Sequence, residues 1–148
     1  MEIKEKQVLV TTISMIAIFV IYSMYVYSNY IQPNYAIVKD SKFWGEVFLY
    51  LIPITIVAQI FILIIFGIIN KMFTNEDFES KTDERDKFIE LRALKISHWV
   101  FSGGFILAML SLAFDFPLYF MFVSLISSCF LSGIASGIAK IYMYRKGF

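Results

Sequence analysis

The chain has 148 residues, is 59% hydrophobic and 18% aromatic, and carries a formal net charge of +1; its mean hydropathy is +0.71. Soluble domains are about 45–50% apolar, so the composition excludes an ordinary water-soluble fold, and the near-zero charge argues against nucleic-acid binding, which needs a clustered basic surface. Cys129 is the single cysteine, which excludes an intramolecular disulfide, and its place in an apolar run predicts a small buried hydrophobe.

No Asp, Glu, Lys or Arg occurs in residues 7–38, 47–70, 96–114 or 116–139. Each window holds the roughly 20 apolar residues that cross a bilayer core. Backbone polar groups in lipid must be satisfied within the segment, so the windows predict helices. A β-barrel would alternate polar and apolar residues instead. The expectation is an all-α integral membrane four-helix bundle, one domain over 1–148, with spans at about 8–27, 46–69, 96–114 and 118–142. Lys4 and Lys6 precede the first apolar run, but that run is too long for a signal peptide and lacks a small-x-small cleavage site, so it reads as an uncleaved span.

In chain order, Tyr22, Tyr25, Tyr27 and Tyr30 close the first span as an aromatic belt. Residues 31–43, with a turn at Pro33 and Asn34, are too short for a receptor domain but long enough for a lip over a pocket. Trp44 marks the interface where the second span begins. Pro53 predicts a kink, because it lacks an N–H and clashes with the carbonyl of Leu49. Gln59 lies mid-span; its amide either bonds a neighbouring helix, worth about 1 kcal/mol, or serves as a polar contact on a transport path.

Residues 70–95 form a linker and a charged helix continuous with the third span. Ser80 is a candidate N-cap with Asp83 completing a capping box. Glu79, Asp83, Asp86 and Glu90 fall within about 60° of one another on the helix, while Lys81, Arg85 and Arg92 lie on another side. The apolar residues there spread around the circle, so the segment does not lie flat on lipid. Its candidate partner-binding residues are Asp83, Glu84, Arg85, Asp86, Glu90 and Arg92. The acidic row is either a solvated face with local pairs or a docking face for a basic segment or a divalent cation; no metal site or cofactor is assigned.

His98 and Trp99 stand at the start of the third span, and Gly103, Gly104, Ala108 and Ser111 offer a small-residue face for helix approach. Asp115 is expected to cap the last helix, with Pro117 in its first turn. In the fourth span Ser124, Ser128, Ser132 and Ser136 recur every four residues beside Cys129, Gly133 and Gly137. That ridge serves close packing or, alternatively, a hydroxyl-lined path. Gln59, His98, Ser128, Ser132 and Ser136 are the candidates for an intramembrane polar site, and His98 is either a pH sensor or a hydrogen-bonded interfacial residue.

With both termini in the cytoplasm, only Lys39 and Lys42 of the 13 Lys and Arg residues lie outside, which predicts an N-in, C-in topology. One His and one Cys cannot build a zinc site. No nucleophile elbow, phosphate loop or metalloprotease motif occurs, and no carboxylate lies inside a span for proton coupling. The run Thr82-Asp-Glu-Arg-Asp, followed by Ile89, Glu90, Arg92, Ala93 and Ile96, resembles a pattern in small uncharacterised prokaryotic membrane proteins of about four helices, which carry an Asp-Glu-Arg-Asp signature before the third span. The likeness covers residues 81–104. It implies a family without an assigned reaction, some members of which lie beside helix-turn-helix regulators. The expectation is therefore a non-enzymatic accessory, regulatory or immunity protein of a prokaryotic cytoplasmic membrane. It would contact lipid and bind a protein partner, or a second copy of itself, through the charged helix. A small oligomeric transporter, or a binder of lipid or small molecules, is the alternative.

Overall fold

Each charge-free window contains a long helix, and each helix runs past its window at one end or both into polar sequence. The computed structural model describes residues 3–74 and 84–146. Helix α1 spans Ile3–Val26, α2 Ser41–Thr74, α3 Glu84–Ala113 and α4 Leu118–Lys146. All four are long and apolar enough to cross a membrane. Pro53 sits inside α2, which continues through it as one helix. The proposed N-cap at Ser80 and the acids Glu79 and Asp83 lie outside the described residues.

The link from α1 to α2 is more ordered than a loop. A π-helical turn, Tyr27–Ile31, extends α1, closed by the Gln32 N–H donating to the Tyr27 carbonyl at 2.8 Å. A 3-10 turn, Tyr35–Lys39, follows, with the Asn34 side chain accepting from the Ala36 N–H. The turn tucks Val38 into the core, where its carbonyl accepts from the Trp44 indole at 2.9 Å.

Trp44, in the first turn of α2, turns inward to the bundle. It is 5% exposed and stacks on Phe122 of α4 with ring centroids 6.1 Å apart. Around it Val26, Val38, Phe43, Val47, Leu51, Ile126 and Phe130 form the main core, which joins α1, α2 and α4 at this, the turn end. Tyr22 also leaves the expected belt, since its hydroxyl donates to the Val47 carbonyl at 2.8 Å. Tyr25, Tyr27 and Tyr30 stay exposed.

Helix α3 packs on α4 alone; among the described residues its backbone approaches neither α1 nor α2. Its buried stripe is Ile89, Ala93 and Ala108, spaced to face one neighbour. Gly104 carries the closest approach: a Cβ there would lie 2.1 Å from the Ser128 Cβ. On the other side of α4, Gly133 abuts Met15 and Gly137 abuts Thr12 of α1. Small residues at these positions let backbones approach where lipid offers no hydrophobic drive.

The α3–α4 turn corrects the expected role of Asp115. Its φ of 57° puts it in the left-handed region. The Phe116 N–H donates to the Ser111 carbonyl and the Asp115 N–H to the Leu112 carbonyl. These two bonds are a Schellman closure of α3. Asp115 thus ends α3, and among the described residues its carboxylate caps nothing in α4.

Candidate functional site

The end where α1 starts and α4 stops, the basal end, carries a network of paired charges. Lys4 of α1 donates to Asp86 of α3, and the Tyr144 hydroxyl of α4 donates to the same carboxylate at 3.0 Å. Arg85 donates to the Tyr144 carbonyl at 3.4 Å. Arg145 donates to Glu5 at 2.5 Å, and the Glu5 side chain is only 8% exposed. Lys140 stands 3.9 Å from Glu90. Arg92 lies over the Phe88 ring at 4.3 Å.

This geometry divides the partner-binding candidates. Asp86 and Arg85 turn inward to α1 and α4. Glu90 is 70% exposed at its side chain and reaches only the rim. Glu84 and Arg92 are on the exposed side, together with Lys87, Phe88, Leu91, Leu94 and Lys95. Asp83 lies outside the described residues, and among those described no group of three or more His, Cys, Asp or Glu can hold a metal ion.

Inward from the network runs a furrow. Its floor is α1 and its walls are α2 and α4, which meet at the turn-end core, with α3 adding to the wall toward the basal end. Toward the basal end the buried apolar cluster, Ile89, Ala93 and Met143, belongs to α3 and α4 only. The basal chamber, about 440 Å³, is lined by Lys4, Gln7, Asp86, Glu90, Lys140 and Tyr144 among others. It shares Val8, Thr11 and Lys140 with a middle chamber of about 260 Å³, where Thr12, Gln59, Ser97 and Ser136 converge from all four helices. Met15 borders both the middle chamber and an apolar one of about 260 Å³, lined by Phe48, Leu51, Ile52, Ile126 and Phe130.

Gln59 spans the middle chamber. Its Nε2 donates to the Thr11 carbonyl and its Oε1 accepts from the Ser14 hydroxyl, each at 3.3 Å. Thr11 and Thr12 donate back to carbonyls of their own helix. The Ser97 and Ser136 hydroxyls line the chamber and make no hydrogen bond to another described residue.

The proposed intramembrane polar set is therefore split. Gln59 and Ser136 meet in the furrow. Ser128 and Ser132 are buried and donate to the Leu125 and Cys129 carbonyls, so they pack rather than line a path. Ser132 also edges a separate groove on α3 with His98, Lys95 and Phe101. Cys129 is exposed and borders the apolar chamber, contrary to the burial expected of it. Lys140, Ser97 and Tyr144 are the furrow residues that sequence reasoning missed. The available signal was Leu51, Thr55, Gln59 and Leu63, four residues apart on one face of α2, with the polar pair in the middle.

No family model, no curated protein and no solved structure matches this chain.

Proposed function

We propose that this is a non-enzymatic multi-pass protein of a prokaryotic cytoplasmic membrane, with both termini inside. It acts there as an accessory, regulatory or immunity protein by docking a protein partner on α3. The observation that carries this reading is that α3 rests on a single neighbour. Its basal turns expose Phe88, Leu91 and Leu94 between Lys87, Lys95 and Glu90. Large apolar residues framed by charges, on a helix free on most sides, form a surface of the kind a second helix covers. The likeness of residues 81–104 to the Asp-Glu-Arg-Asp membrane proteins supports the regulatory role, and the bias of basic residues supports the topology.

The contact set moves outward from the acidic row, because Asp86 is committed to Lys4 and Tyr144. The test is a photo-crosslinking residue at Leu91 in native membranes, with the same residue at buried Ile89 as control. A discrete adduct from Leu91, heavier than the chain by the mass of a different protein and lost on Leu94→Asp, is the expected result. An adduct of twice the chain mass would make the partner a second copy. No adduct would end this reading.

A further inference from the structure

We propose that the furrow between α2 and α4 is a binding site for a phospholipid. Its phosphate would lie at Lys140 between Ser97 and Ser136, and an acyl chain would lie along the apolar chamber. Three observations combine here. The furrow is polar toward the basal end and apolar toward the turn end, its neighbouring chambers bordered in common by Val8, Thr11 and Lys140 and then by Met15. An amphiphile matches that gradient, whereas a fully polar metabolite would leave its tail end facing Phe48, Leu51 and Phe130.

The polar half is rich in donors. The hydroxyls of Ser97 and Ser136 have no partner among the described residues. The Gln59 amide holds Thr11 only through a long bond of 3.3 Å. Lys140 supplies the charge. Its carboxylate neighbour Glu90 stands at 3.9 Å and is mostly exposed, so the ammonium is loosely held and can turn to a phosphate. Asp86, the other acid of the basal chamber, is paired with the Lys4 ammonium and accepts from the Tyr144 hydroxyl. Hydrogen bonds to ionised oxygens are about twice as strong as neutral ones, so a phosphate makes better use of these donors than a neutral headgroup does.

The position also fits. Lys140 is about 9 Å along α4 from its end at Lys146, and Gln59 about 22 Å from the end of α2. A headgroup at Lys140 therefore sits near the boundary of an apolar layer about 30 Å thick, with its tail running inward. The gap between α2 and α3, whose backbones do not approach, opens the groove to the side, so a lipid can enter without crossing water.

The test is native mass spectrometry of the full-length protein in detergent, after exchange with phosphatidylglycerol, phosphatidylethanolamine or diacylglycerol of identical chains. One phospholipid retained per chain, at least tenfold above diacylglycerol, is expected. Lys140→Met and Ser136→Val should each cut retention about tenfold, while Lys42→Met, at the far end, leaves it unchanged. Equal retention of diacylglycerol overturns the proposal on the wild-type protein alone, whatever the variants do. Displacement of the lipid by millimolar inorganic phosphate would assign the polar half to a free anion and overturn it as well.

Discussion

The ammonium of Lys4, in the first turn of α1, rests on the carboxylate of Asp86, 82 residues away in the first turn of α3. The pair bridges two helices whose backbones do not approach each other. Both side chains are largely buried, at 24% and 14% exposed. Removing the charge with Asp86→Asn keeps the shape but loses the ion pair, at a cost of about 1–3 kcal/mol. A lowered thermal midpoint in detergent is the expected readout. Lys4→Met combined with Asp86→Asn should cost less than the two singles added together, as for any coupled pair. Strict additivity would show that the two groups do not interact.

Adjacent glycines should behave oppositely. A Cβ on Gly104 would lie 2.1 Å from the Ser128 Cβ, while one on Gly103 meets nothing within 4 Å. Gly104→Ala must push α3 off α4, costing about 1–3 kcal/mol. Gly103→Ala is expected to gain about 0.5–1 kcal/mol, through the lost backbone freedom of the unfolded helix. Gly104→Ala with Ser128→Gly should recover most of the loss. Equal effects at the two glycines would place the α3–α4 contact elsewhere.

The helices were legible because charge-free runs of span length leave few other solutions, and small residues such as Gly104 and Gly137 marked the close contacts. What stayed hidden is how the faces are shared among neighbours. Periodicity locates a face but not the helix opposite it. The serine ridge of α4 is a case in point: it divides between the α3 contact at Ser128 and the furrow at Ser136. Nor does a nearly uniform apolar helix reveal that Trp44 turns inward, since the acceptor that draws its indole, the Val38 carbonyl, depends on a 3-10 turn in the preceding link. Asp86 and Lys140 read as surface charges because their partners are tens of residues away.

The left-handed Asp115 predicts a stabilising substitution. A non-glycine residue in this region costs about 1–2 kcal/mol, less for Asp than for most. Its carboxylate makes no bond to another described residue that would offset the cost. Asp115→Gly should raise the thermal midpoint, with a gain of up to about 1 kcal/mol. Asp115→Ala, which keeps the Cβ, should not. A loss on Asp115→Gly would mean that the carboxylate has a role in starting α4.

The two tryptophans separate the core from the exposed apolar surface. Trp44 is 5% exposed and holds the Val38 carbonyl, whereas Trp99 on α3 is 70% exposed. In brominated-lipid vesicles the fluorescence of the Trp44→Phe variant, which reports Trp99, should be strongly quenched. The Trp99→Phe variant, which reports Trp44, should be quenched weakly. The reverse would mean that Trp44 faces lipid. Trp44→Phe also leaves the Val38 carbonyl without its donor, so a loss of about 1 kcal/mol accompanies it.

The proposed topology is tested by labelling from one side. With Cys129→Ser as background, Tyr35→Cys is the outside probe, since Tyr35 is exposed in the link between α1 and α2. Lys146→Cys at the end of α4 is the inside probe. An impermeant maleimide added to intact cells should label the first and leave the second untouched until the membrane is permeabilised. The physical ground is the basic bias in the sequence: of the 13 Lys and Arg residues only Lys39 and Lys42 are assigned to the outer side. Labelling of Lys146→Cys in intact cells would invert the chain. Leu91 and its neighbours would then face outward, and any partner docking there would have to be extracytoplasmic.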